Sequence, residues 1–257
     1  MVAARAHRKE AELVRAPAFA LQSPDMPIRG ARDRAFVARK KSESQEIVRH
    51  RRRQQRSIDT RDRILDAAAA EFADHGFEGA STRNVAVNAG VQHPLVTYHF
   101  ESKEGLWRAA LTSLNERFVK LYRARLEGLR GVDAGTKLRL ILEDFIRFSA
   151  ENPAFHWLMS HEGSKGGRRM NWLVDAYVRH FFEEITELIR AAQKEGRFVA
   201  GDPHHLLYIF VGAVTRLFML GPEVKKVSGR NPTSQAYVEE HVRLCLGLFF
   251  REAGAPS

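Results

Sequence analysis

The stretch STRNVAVNAGVQHPLVTYHF, Ser81 to Phe100, decides the fold. Serine at position 81 is a good helix cap, and Val85, Ala86 and Ala89 then recur at helical spacing until Gly90 stops the run. Pro94 cannot lie deep inside a helix but fits a first turn, so a second helix starts near His93 and ends near Phe100. Two short helices joined through a glycine have the spacing of a helix-turn-helix, whose second helix enters a DNA major groove. Val85, Ala86, Val91 and Val96 suit the packed side of such a pair, while Gln92, His93, Thr97 and Tyr98 are left facing outward. Taken alone, the pair could equally serve as packing.

Helical periodicity extends on both sides. Ile64, Ala68 and Phe72, with Leu65 and Ala69 beside them, form one apolar face. The helix carrying it is predicted to begin behind an Asp59 cap and to end at His75-Gly76, where glycine accepts a left-handed conformation. Phe77 then re-enters the core. Ser102 caps a long fourth helix to about Leu129. Further helices are predicted over 136–150, after Asn152-Pro153, over 170–195, over 203–220 and over 234–252, with a polar loop between Gly221-Pro222 and Pro232. No alternating strand pattern appears, so the predicted fold class is all-α.

Composition narrows the function. The chain has 257 residues, a net charge of +10 and one cysteine, Cys245, which excludes an internal disulfide and a multi-cysteine metal cage. No apolar run approaches the roughly 20 residues of a membrane helix, and Glu10, Glu12 and Arg15 interrupt any signal-like start. The expectation is a cytoplasmic protein that needs neither metal nor cofactor. The positive surplus is concentrated before the first helix. Residues 1–60 hold 15 Lys/Arg against 7 Asp/Glu, with a peak at Arg49–Arg56, while residues 61–108 hold five against seven. Residues 1–57 are therefore predicted to be a mostly disordered basic arm, with a transient helix over 31–48. Met26 offers a second translation start, which leaves open whether residues 1–25 are translated.

These residues resemble the DNA-binding domain of the tetracycline-repressor (TetR) family. The likeness runs through Gly76-Phe77, Thr82-Arg83, Ala89-Gly90-Val91 and Tyr98-His99-Phe100 to Ser102-Lys103-Glu104-Gly105-Leu106. It implies a three-helix DNA-binding domain over 58–118, with its helix-turn-helix at 81–100. A larger helical ligand-binding and dimerisation domain would follow over 119–257. It also implies DNA contacts. Thr82 and Arg83 would anchor phosphates at the start of the second helix, and Gln92, His93, Pro94, Leu95 and Thr97 would read base edges. Tyr98 and His99 would hold the backbone, and Lys103 would bind a phosphate at a helix start. Gln92 suits an adenine edge and Thr97 a thymine methyl. His93 departs from the small or amide residue usual there, so base preference is not inherited.

The resemblance further implies a repressor released from operator DNA by a small-molecule effector, acting as a homodimer without a cofactor or catalytic group. Phe145, Phe148, Trp157, His161, Trp172, Tyr177 and Arg216 are candidate pocket residues. His156 and His180 are further candidates to line a cavity. Arg216, on an otherwise apolar segment, would meet a carboxylate ligand or pair with Glu183 or Glu187. The last two helices, with Val211, Val214, Leu217, Phe218, Tyr237, Leu244, Leu248 and Phe249, are expected to form the dimer interface. The alternatives are a helical-bundle enzyme or a protein-interaction adaptor. The paired Glu-x-x-His motifs of a di-metal bundle, the nucleophile elbow and the phosphate loop are all missing from the chain.

Overall fold

The computed structural model describes residues 30–251, with side chains from residue 48 onward. The chain divides into two units, Met1–Arg53 and Gln54–Ser257. Helix α1 (Gly30–Gly79) crosses that division. The helix-turn-helix is α2 (Thr82–Ala89) and α3 (His93–Phe100), and α4 (Lys103–Gly128) follows. The rest is α5 (Ala134–Glu151), α6 (Pro153–Gly163), α7 (Arg168–Leu173), a π-helical turn (Val174–Val178), α8 (Arg179–Lys194), α9 (Pro203–Met219), α10 (Gly221–Ser228) and α11 (Gln235–Phe249). No strand is present among the described residues beyond one isolated bridge, Phe198 to Phe250. No single described helix is long and apolar enough to cross a membrane.

Three boundaries differ from the sequence expectation. Helix α1 begins at Gly30, not behind Asp59, which lies inside it and accepts a hydrogen bond from Gln55 Nε2 at 2.8 Å. Residues 30–57, expected to be mostly disordered, are helical. Between Gly30 and Gly76 the chain has no glycine or proline and is rich in Ala, Arg, Lys, Gln and Glu, all good helix formers. Residues 1–29 of the expected arm lie outside the described residues. The predicted loop after Gly221 holds α10, which Pro222 opens, Glu223 and Lys225-Lys226 stabilise at its two ends, and Gly229 closes. The third difference is the π turn that interrupts the predicted 170–195 helix.

The core of the first three-helix layer is the expected one. Ile64, Leu65, Ala68 and Phe72 of α1 are buried with Val85, Ala86 and Ala89 of α2, Val96 and Phe100 of α3 and Leu106 and Trp107 of α4. Gly76 turns the chain with φ 64° and ψ 177°, a conformation open essentially to glycine alone. The turn returns Phe77 to stack on Phe72 at 6.0 Å and meet Trp107 edge-on at 6.1 Å. Gly105 is required for another reason: a Cβ there would collide with the Phe100 carbonyl oxygen where α3 meets α4.

In the second layer α5 packs against α4, α8, α9 and α11. Asp133 caps α5 by accepting from Thr136 N at 2.8 Å, and the Glu195 carboxylate takes the next free N–H groups, Ala134 at 3.0 Å and Gly135 at 2.8 Å. Arg125 of α4 makes a bidentate pair with the nearly buried Asp144 of α5, at 2.6 and 2.7 Å.

Candidate nucleic-acid interface and bundle cavity

The start of α2 is set by a buried acid. Glu71, on α1, accepts the Ser81 backbone N–H at 2.8 Å and Asn84 Nδ2 at 3.2 Å through the same oxygen. The Ser81 hydroxyl accepts from Asn84 N at 3.4 Å, and Gly90 closes α2 with a left-handed φ of 65°. These contacts aim α3. Gln92 precedes it with its side chain exposed and engaged in no cap, and Pro94 lies in its first turn.

The outward face of α3 is Gln92, Pro94, Thr97 and Tyr98, the last 79% exposed. Arg83 is exposed on α2, and Leu95 and His99 are half-buried. Three candidates are engaged within the protein. His93 Nε2 lies 3.0 Å from Thr82 Oγ1, so the first residue of α3 is tied to the first of α2. Lys103 Nζ donates to the Glu78 carbonyl oxygen at 3.0 Å and sits 5.1 Å from the Phe77 ring centre. Val87, 76% exposed, belongs to the same outward side and is absent from the candidates read in the sequence. Its signal there is its offset of two from Val85, which turns it about 200° away from the core.

The local acidic surplus is largely neutralised by the fold. Asp66 pairs with Arg117 at 2.8 Å, Glu78 with Arg169 at 3.1 Å and Glu104 with Arg108 at 2.6 Å. Arg117 and Arg169 come from outside residues 61–108 and offset the imbalance of two.

A cavity of about 620 Å³ opens between α4, α5, α6, α7, the π turn, α8 and α9, within the usual size of a small-molecule site. Phe145 and Tyr177 line it, as do His156 and His180. Four of the five residues of the π turn reach it, and the Tyr177 hydroxyl lies 2.6 Å from Thr112 Oγ1 of α4. Burial raises the Tyr177 pKa.

The remaining candidates lie off the wall because of where each helix turns them. On α6, His156, Met159, Ser160 and Gly163 share the cavity side at helical spacing, which rotates Trp157 and His161 away. Trp157 Nε1 donates to the Met219 carbonyl at 3.2 Å, and His161 Nε2 donates to the Ala73 carbonyl of α1 at 3.1 Å. Phe148 is buried against Phe118 and Phe155. Trp172 packs at a tilt against Trp107, with the Arg108 guanidinium over its ring. Arg216 is exposed on α9 and pairs with neither Glu183 nor Glu187, because Val211 and Tyr208 hold the cavity side of that helix.

His156 is the buried polar group on the wall. Its Nε2 lies 2.9 Å from Ser149 Oγ, and burial lowers its pKa to about 4. Also on the wall, Tyr122 donates to Glu184 Oε2 at 2.9 Å, and burial with the Glu184 charge raises the tyrosine pKa.

Residues 64–110 match the pattern described as "Bacterial regulatory proteins, tetR family". The HTH-type transcriptional regulator RutR of Escherichia coli (strain K12) is 24% identical over 182 residues, covering 70% of this chain and 83% of RutR. A TetR-like transcriptional regulator from Rhodococcus sp. RHA1 superposes with a TM-score of 0.55 at 20% identity, covering 74% of this chain and 92% of its own. AibR, solved in complex with isovaleryl coenzyme A and operator DNA, superposes with a TM-score of 0.55 at 18% identity, covering 74% of this chain and 97% of AibR. Both structural likenesses are of fold.

Proposed function

We propose that the chain is a transcriptional regulator of the tetR family, whose pattern its residues 64–110 match, and that it is a homodimeric repressor released from operator DNA by a small molecule. The observation that carries the proposal is the course of α4. Its capped first turn abuts the end of α3, and its later residues Phe118 and Tyr122 form cavity wall. A rigid helix rooted at both places transmits a shift from one to the other. Beside it, His161 on Ala73 and Arg169 on Glu78 tie α6 and α7 to the end of α1. AibR was crystallised with a ligand and operator together, so a protein of this fold holds both.

In this reading Gln92, Pro94, Leu95, Thr97 and Tyr98 meet the DNA grooves. Arg83 and His99 meet phosphates, as does Lys103 through the N–H donors its bond to Glu78 leaves over, and the Arg49–Arg56 run adds sequence-independent attraction. The two copies meet through α9 and α11. Ile209 on α9 and Leu244 and Leu248 on α11 are exposed apolar residues, and Gly212, Ala213 and Gly247 beside them leave room for close approach. Val214, Phe218 and Phe249, expected at that interface, are buried within the monomer. The protein would act in the cytoplasm, where its DNA is.

The test is an electrophoretic shift with genomic fragments across a salt series, followed by sequencing of the bound DNA. A shared sequence with two symmetric half-sites is expected; salt-independent binding or none defeats the proposal. A hundredfold release by ligand corresponds to about 2.7 kcal/mol of coupling, and operator must weaken ligand binding by the same factor.

A further inference from the structure

On the reading of this cavity as the ligand site of the proposed regulator, its polar chemistry narrows what fits. We propose that the ligand is an uncharged, ring-bearing molecule whose hydroxyl group donates a hydrogen bond to Nδ1 of His156.

The proton positions follow from the bonding. Ser149 Oγ lies 2.7 Å from the Phe145 carbonyl oxygen, which can only accept, so the serine proton is committed there. Toward His156, at 2.9 Å, Ser149 Oγ is then an acceptor, and the imidazole carries its proton on Nε2. Nδ1 is left as a bare lone pair with no partner among the described residues, on a side chain that lines the cavity. The ring cannot turn away, since Phe145 and Phe155 meet it edge-on at 5.7 and 5.3 Å. Burial keeps it neutral at ordinary pH. The wall thus presents a fixed acceptor and no donor at this point, which selects a hydroxyl and rejects an ether or a carbonyl oxygen.

The surroundings exclude charge. Phe118, Phe145, Phe155, Phe181 and Phe182 supply ring faces and edges around the space, matching a flat or cyclic apolar body. Besides His156 and the tyrosines, Arg123, His180 and Glu184 are the ionisable side chains that line the cavity. Glu184 is already engaged by the Tyr122 hydroxyl and lies 3.5 Å from His180, and Arg123 is exposed to solvent. A ligand cation would have to displace partners of Glu184. A ligand anion would find one screened arginine. Desolvating either charge costs more than those contacts return.

The experiment titrates the full-length protein, without DNA, with three probes of one shape: 2-naphthol, 2-methoxynaphthalene and 2-naphthoate. Calorimetry should rank 2-naphthol about threefold to tenfold tighter than the methyl ether, the worth of one neutral hydrogen bond, with the anion weakest. His156→Phe should bring 2-naphthol down to the affinity of the ether while leaving the ether within about twofold, a ratio expected when the acceptor is removed. Ser149→Ala frees the tautomer and should shrink the same preference with the ring still present, which covers the case of a poorly folding His156 variant. Equal affinity for naphthol and ether, tightest binding of naphthoate, or binding of none of the three overturns the ligand class. A preference untouched in both variants overturns the role of His156. Because no DNA is present, a failure to regulate an operator leaves these readings intact, and the two proposals fail separately.

Discussion

On the proposed DNA-binding reading, the contact between Thr82 Oγ1 and His93 Nε2 at 3.0 Å would give the two residues one joint role. The family resemblance implies a separate contact for each, a phosphate anchor and a base reader. The geometry instead makes His93 a strut that holds the start of α2 against the start of α3. A part-buried neutral hydrogen bond is worth about 0.5–1.5 kcal/mol net, so Thr82→Val or His93→Ala should each cost operator affinity about twofold to tenfold per half-site. The double variant should cost no more than the worse single one, leaving a coupling energy of about 1 kcal/mol. Gln92 is exposed and takes no part in the strut. Gln92→Ala should therefore add independently to either, with a loss of about 1–3 kcal/mol confined to one base pair. Fluorescence anisotropy on the selected operator and on its single-base variants measures all of this, with circular dichroism confirming the fold. If the Thr82→Val and His93→Ala losses multiply, the two side chains work independently and the strut is wrong.

Gly76→Ala should destabilise the protein by about 1–3 kcal/mol in urea unfolding, because φ 64° with ψ 177° is strained for any residue bearing a Cβ; an unchanged midpoint would mean the turn is malleable. If the chain dimerises as proposed, Leu248→Glu, at a position 68% exposed, should convert that dimer to monomer in sedimentation while sparing the monomer's helicity, and an undisturbed dimer would remove α11 from the proposed interface. Removing residues 1–53 should weaken operator binding without changing its preferred sequence and flatten the salt dependence by about 0.9 in slope for each phosphate no longer neutralised; an intact slope would take the basic run out of the complex. His156 has a folded-state pKa of about 4, below its ordinary 6.5, so the unfolded chain takes up the proton first. The stability it contributes is present above pH 6.5 and drains as pH falls toward 4, by about 3 kcal/mol in full. His156→Phe should abolish that part of the acid sensitivity, and parallel acid profiles for the two proteins would contradict it.

The aromatic residues show where sequence reasoning stops. Phe145 and Phe148 are three apart on α5, and both read as bulky and apolar. Phe145 reaches the cavity, while Phe148 fills the core against Phe155. Trp157 and His161 share a helix with His156, yet they face Met219 and Ala73. Periodicity says which residues share a side of a helix, not which neighbour that side meets. Arg216 misleads for a related reason. An apolar segment reads as buried all round, but one side of α9 is open in the monomer, and the arginine lies on it.

What the sequence determined by itself was local: the helix-turn-helix, with its cap at Ser81, its glycine at 90 and its proline at 94, and the all-α class. Backbone sterics and the burial of Val85, Ala86, Val96 and their neighbours decide these within a few turns of chain. The length of α1 was also local, written in the absence of glycine and proline after Gly30, although the basic charge there suggests disorder. Only the tertiary structure decided the rest. It brought Arg117 and Arg169 to the acids of the helix-turn-helix layer, so a segment negative in sequence is nearly balanced in space. It also closed Ser149, Phe145 and Phe155 around His156, fixing a proton on one nitrogen and a lone pair on the other. Charge balance and tautomer are set by atoms within about 3–6 Å, at hydrogen-bond and close ion-pair range, and for those atoms distance along the chain says nothing until the helices have packed.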